Sequence, residues 1–142
     1  MLLKQISVFA ENRPGAIRDI TGVLSEADVN IRAISIADTT DFGVVRLIVD
    51  KRKEALSALR ENGMTVKESD VIALAVDDAP GSLHKALSAL SECSIMVEYS
   101  YGFVSPIGGS ATIILKCDDQ ENALNCLSSK GFKLLTAEEI KF

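Results

Sequence analysis

The sequence has little of what membrane proteins, metalloproteins, nucleic-acid binders and hydrolases require. Its longest uninterrupted apolar run is the six residues Val71 to Val76, against the roughly 18 to 20 that cross a bilayer, and the opening MLLKQ lacks the apolar centre of a secretory signal. A soluble cytoplasmic protein with no membrane partner is expected. Cysteine is sparse: Cys93, Cys117 and Cys126 are odd in number, form no CxxC and have a single histidine to help them. Such a set encodes neither a disulfide framework nor a zinc site, so reduced packing thiols and no bound metal are expected. Positive charge is in deficit as well. A net charge of −5 opposes attraction to phosphate backbones, which argues against nucleic acid as a partner. His84, the one histidine, stands beside Lys85 with no partner constellation, and no nucleophile is matched to a base. Neither a catalytic site nor a cofactor is expected.

What the sequence does contain is an internal repeat. A shift of 66 residues places Pro14 on Pro80, Gly15 on Gly81, Leu24 on Leu90, Ser25 on Ser91 and Glu26 on Glu92. Further along the shift becomes 68, with Asp50 on Asp118, Leu56 on Leu124, Leu59 on Leu127 and Gly63 on Gly131. Two residues are therefore added in the second copy, and the loop VSPIGGS, Val104 to Ser110, is where they are placed.

Each copy reads as strand, helix, strand, strand, helix, strand. In the first, Leu3 to Ala10 is strand-like, and Pro14 takes the first helical position ahead of a stripe formed by Ile17, Ile20, Val23, Leu24 and Ala27. Val29 to Ala37 and Val44 to Val49 are β-branched runs joined by DTTDFG, a hairpin pattern. A helix from Lys53 to Asn62 stops at Gly63, and Met64 to Glu68 closes the copy. The second copy repeats the plan with Val71 to Val76, a helix from Pro80 to Glu92, Ile95 to Tyr101, Ala111 to Cys117, a helix from Gln120 to Lys130, and Phe132 to Thr136. This is the α+β, ferredoxin-like βαββαβ arrangement used twice, with both helices on one face of an antiparallel sheet. The domains are expected at 1–68 and 69–142, with KESD, Lys67 to Asp70, as the linker.

Several functions of this fold are argued against by their missing residues. An RNA-binding version needs stacking aromatics on its central strands, and GVVRLIV and ATIILKC have none. A metal chaperone places cysteines in the first β–α loop, where this chain has ENRPG and DDAPG. An acylphosphatase-like enzyme needs a phosphate-cradling loop; Arg13 is suitably placed, but the loop is not glycine-rich and the second copy has Ala79 there.

Both copies keep a polar residue, a spacer and then Pro-Gly at the mouth of the first helix: Asn12-Arg13-Pro14-Gly15 and Asp78-Ala79-Pro80-Gly81. Glycine lets a ligand approach the backbone, the helix start favours a carboxylate, and an Asn side chain both donates to a carboxylate and accepts from an ammonium. Together these suit an α-amino acid. Plainer readings stay open: Pro14 and Pro80 as helix starters, Asp78 as a cap, Asn30 as a turn residue and Arg13 as a solvated surface charge. Tyr99 and Tyr101, on one strand face with Ile95, either pack in a core or interface or line a pocket.

On the residues AENRPGAI and VNI the whole chain resembles a tandem pair of ACT domains, small regulatory modules that bind amino acids in many metabolic enzymes, without a catalytic domain. Asn12 stands at the family's ligand-binding Asn and Asn30 at the Asn that often opens the second strand. Ala10 stands where serine-binding members place a His, and in the second copy Asp78 and Met96 replace the two Asn positions. The resemblance implies a non-enzymatic regulator whose ligand sites lie where one domain's first loop meets the second strand of a neighbour. The residues so marked are Asn12, Arg13, Pro14, Gly15, Ala16, Ile17, Asn30 and Ile31 in the first copy, expected to dominate, and Asp78, Pro80, Gly81, Ser82 and Leu83 in the second. A homodimer or larger homo-oligomer is expected, because two sheets have more edges than one junction covers. A metabolic enzyme or regulator is the expected macromolecular partner. The alternative is a structural interaction subunit with vestigial pockets.

Overall fold

Alternating apolar runs become strands and the 3.6-period stripes become helices in a computed structural model, which describes residues 2–38, 42–104 and 108–140. The elements are β1 (Leu3–Glu11), α1 (Ala16–Glu26), β2 (Ile31–Asp38), β3 (Phe42–Val49), α2 (Arg52–Glu61), β4 (Val66–Asp77), α3 (Ser82–Glu92), β5 (Val97–Val104), β6 (Ser110–Cys117), α4 (Gln120–Ser129) and β7 (Lys133–Leu134). The chain divides into two compact units, residues 4–69 and residues 70–142 together with 1–3.

In the first unit the strand order is β2-β3-β1-β4. Ile6 lies opposite Leu47 and Val8 opposite Val45, so these four share one sheet face. They are buried there with Ile20 and Leu24 of α1 and with Leu56 and Leu59 of α2. Each such side chain contributes roughly 1.5–3 kcal/mol on leaving water. The second unit repeats this with β5-β6-β4 and β7 pairing β4 on its other side. Ile72, Leu74, Leu115 and Cys117 pack against Ala86 and Leu90 of α3 and against Ala123 and Leu127 of α4. The expected ferredoxin-like pair is the fold.

Two details repeat as well. The β2–β3 register shifts between Ile31 and Ala33, and the β5–β6 register shifts at the equivalent place, between Val97 and Tyr99. The spacing of β2 to β5 and of β3 to β6 puts the inserted pair of residues between β5 and β6. Of the loops named above, Ser105 to Ile107 and Thr39 to Asp41 lie outside the described residues.

Two expectations need correction. KESD is not a free linker, because Lys67 to Asp70 lie within β4. Its polar character is compatible with a strand whose side chains there are exposed at Lys67 and half buried from Glu68 to Asp70: Glu68 pairs with Arg52, and the Asp70 carbonyl accepts a hydrogen bond from Gln120 Nε2 at 2.7 Å. The cysteines are not all reduced either. Cys93 and Cys126 are joined, with a Cα separation of 6.5 Å, while Cys117 is free and buried. Helix packing brings α3 and α4 within bridging distance, a long-range proximity that cysteine spacing does not encode. Among the described residues no helix is long and apolar enough to cross a membrane, and no group of three or more His, Cys, Asp or Glu could hold a metal ion.

Candidate functional site

Helices α1 and α3 are both entered through a type II turn. In the first copy the Ala16 amide donates to the Arg13 carbonyl at 3.4 Å, Pro14 takes the first corner and Gly15 the second, at φ 85° and ψ −5°. In the second, the Ser82 amide donates to the Ala79 carbonyl at 3.3 Å and Gly81 sits at φ 86° and ψ −6°. A type II turn favours proline at its first corner and requires positive φ at its second. Pro14 and Pro80 are therefore not the first helical residues: each lies two positions upstream of its helix, where its fixed φ serves the turn.

The surrounding bonds repeat too. Arg13 and Ala79 donate their amides to the Glu11 and Asp77 carbonyls, both at 2.9 Å, and Asp19 and Lys85 donate theirs to Gly15 and Gly81 at 2.9 and 3.0 Å. No side chain caps either helix, so the positive ends of both are presented at the loops.

Beside each turn lies a cleft within its own unit. The first, of about 480 Å³, is lined by Ala10, Glu11, Arg13, Ala16, Asp19, Phe42 and the stretch Asn62 to Thr65. The second, of about 550 Å³, is lined by the counterparts Val76, Asp77, Ser82, Lys85, Ser110 and Gly131 to Lys133, with Phe103, Thr112, Leu135, Glu139 and Ile140 added. Their electrostatics differ. Arg13 is paired with Asp19 at 2.8 Å and with Glu11 at 3.3 Å, and the hydrogen bond to Asp19 is the main reason its guanidinium holds its proton more firmly than usual. In the second cleft Asp19 is replaced by Lys85 and Thr65 by Lys133. In both clefts a few charged groups of each sign stand among aliphatic and aromatic ones.

The marked residues do not all converge. Asn12 is exposed, with its Oδ1 3.7 Å from where a Cβ on Gly43 would stand, so it leans toward the start of β3. Asn30 lies beyond the other end of α1, about 16 Å of helix away from the Pro-Gly turn. There it joins a separate hollow of about 450 Å³ with Asp28, Asp50 and Lys51. Ile17 and Ile31 pack against the first core, and Leu83 is 37% exposed. Asp78 is exposed, and its amide donates to the Gly109 carbonyl at 3.2 Å. Tyr99 and Tyr101 lie half buried on β5, and His84 is exposed, its Nε2 3.4 Å from Ser88 Oγ.

Sequence reasoning missed Lys85, Lys133, Phe103 and Phe132, which reach the second cleft from four elements or loops and have no common spacing. It also missed the role of Asp50 and Asp118, whose carboxylates accept from the amides of Asn30 at 2.8 Å and Met96 at 3.0 Å. The repeat carried that signal, since it aligned the two aspartates.

Comparison with known proteins follows the same lines. The family model described as ACT domain pair matches residues 1–141. Among solved structures, a protein from Bacteroides thetaiotaomicron is 32% identical over 99% of this chain and 96% of its own, with a TM-score of 0.92. The regulatory subunit of aspartate kinase from Thermus thermophilus, in its ligand-free form, is 18% identical over 90% of this chain and 92% of its own, with a TM-score of 0.65. Its counterpart from Thermus flavus is 18% identical over 89% and 90%, with a TM-score of 0.61. No sequence among the curated proteins matched the chain.

Proposed function

The chain belongs to the family of ACT domain pairs, and from that premise we propose that it is a non-catalytic regulatory protein that binds a free amino acid at the loops leading into α1 and α3. The observation that carries this reading is the bond-for-bond repetition of the Pro-Gly turn ahead of two helices without side-chain caps. A helix start of that kind favours a carboxylate, and an adjacent glycine keeps the approach clear. Within one unit Asn12 and Asn30 stand at opposite ends of α1, so the proposed ligand takes one of them from a second copy of the chain. A homodimer or larger assembly is thus part of the proposal, as is a metabolic enzyme or regulator whose association changes on loading.

Calorimetric titration of the intact chain with a panel of common amino acids tests the reading. Saturable heat with one or a few of them is the expected outcome; silence from all of them would favour a structural subunit with vestigial pockets. The residue-level proposal is that Asn12→Ala weakens binding by about 1–3 kcal/mol, the range for removing a buried hydrogen-bond partner, and that Asp78→Ala costs less. Parent-like binding by Asn12→Ala together with loss in Asp78→Ala would move the site to the second copy.

A further inference from the structure

The repeat isolates a feature of the second copy that the first lacks. Cys93 is the C-cap of α3 and is joined to Cys126 of α4. Their first-copy equivalents, by the same shifts of 66 and 68 residues, are Ala27, the C-cap of α1, and Ala58 in α2. The same helix pair is thus built in one unit without any covalent link. The two residues also differ in exposure. Cys93 is exposed, whereas Cys126 is 6% exposed and its Sγ lies 3.3 Å from the Ala89 carbonyl oxygen. A joined sulfur has no proton to donate there, but once the bond opens the Cys126 thiol has that carbonyl as a ready acceptor. Cys117, at 1% exposure in the core, lies out of reach of solution reagents.

We propose that Cys93 and Cys126 form a reversible thiol–disulfide site, closed and opened by exchange with low-molecular-weight disulfides and thiols, which fastens α3 to α4 in the second unit alone. Closure starts when the Cys93 thiolate attacks one sulfur of a small disulfide, expelling one thiolate and leaving a mixed disulfide on Cys93. The Cys126 thiolate then attacks the Cys93 sulfur, forms the protein bond and expels the second small thiolate. The two cysteine protons end on the two released thiols, and the two electrons lost by the protein reduce the small disulfide. Opening is the reverse, with a small thiolate attacking the Cys93 sulfur. The link closes a loop across a separation of 33 residues, which restricts the unfolded chain and so stabilises the second unit. It also bears on the second cleft, because α3 carries Ser82 and Lys85 into it and α4 leads directly into Gly131 to Lys133.

The test is to equilibrate the intact chain in glutathione buffers, one oxidising and one reducing, then to alkylate, map the peptides by mass and record thermal unfolding. The expected result is a Cys93–Cys126 linked peptide in the oxidising buffer only. Cys117 is then alkylated in both buffers after denaturation. One unfolding transition drops by on the order of 10 °C on reduction. Cys93→Ala, which installs the residue of the first copy at an exposed position, is expected to unfold at the reduced midpoint in both buffers, and Cys126→Ala to do the same. Three alkylatable cysteines in the oxidising buffer, a different linkage, or a midpoint unchanged between the two buffers would overturn the proposal.

Discussion

Gly81 shows how one residue type sets the site. It is held at φ 86°, and nothing lies within 4 Å of where its Cβ would be. Gly81→Ala therefore meets no steric obstacle, and its cost is the left-handed backbone alone, about 1–2 kcal/mol. Denaturant unfolding of the variant should show a loss of that size with an unchanged slope; no loss would mean that the turn relaxes to another type. Cys117 carries a prediction about pH. Burial first, then the charges of Asp118 and Glu98, pushes its thiol up to about 11, whereas an unfolded cysteine titrates near ~8.5. The folded state thus holds the proton more tightly. Its contribution is complete below the unfolded value and is lost as pH rises through the folded one. Thermal midpoints should fall over that alkaline window, and the fall should be shallower in Cys117→Ala.

At the scale of elements, the four helices begin in three ways for identifiable reasons. Helix α4 has Asp119 as its N-cap, whose Oδ1 accepts from the Asn122 amide at 3.1 Å while its Oδ2 accepts from Asn122 Nδ2 at 2.6 Å. Its first-copy counterpart, α2, starts at Lys51 with no side-chain cap. Asp119→Ala should cost about 1 kcal/mol, readable as a lower denaturation midpoint. Helices α1 and α3 spend their entry on the Pro-Gly turn, which leaves their amide ends for something other than a side chain. Strand pairing imposes its own demand at Gly102: a Cβ there would lie 2.7 Å from the Thr112 carbonyl oxygen, so β5 and β6 approach each other only because that position is bare.

At the scale of the whole molecule, the strand orders end at β2 in the first unit and β5 in the second. Both outer strands carry apolar side chains into solvent: Ile34 is 43% and Ile36 56% exposed on β2, and Val104 is 61% exposed on β5. An edge strand with such residues is a template for pairing with another chain. The expected outcome in sedimentation is a species of at least twice the 15.2 kDa chain mass at micromolar concentration and above. Lysine at Ile34 and Ile36 should shift it toward monomer without unfolding the units. A parent protein that sediments as a clean monomer would remove the basis for sharing Asn12 and Asn30 between copies.

The sequence by itself determined the duplicated βαββαβ plan, the place of the insertion and the special character of the Pro-Gly junction, because periodicity, chain direction and turn chemistry are local properties. Leu24, Leu90, Leu59 and Leu127 could be assigned to cores from their spacing alone, and all four are fully buried. What only the tertiary structure decided depends on residues far apart in the chain. The pairing of Cys93 with Cys126 follows from how α3 packs on α4. The strand that absorbed KESD is fixed by its partners, Arg52 and Gln120 among them. The separation of Asn12 from Asn30 follows from the length of α1 between them, and the charge of each cleft from side chains gathered from several elements. Short-range preference fixes which elements form, whereas the site and its chemistry arise where those elements meet, and no local pattern records that meeting.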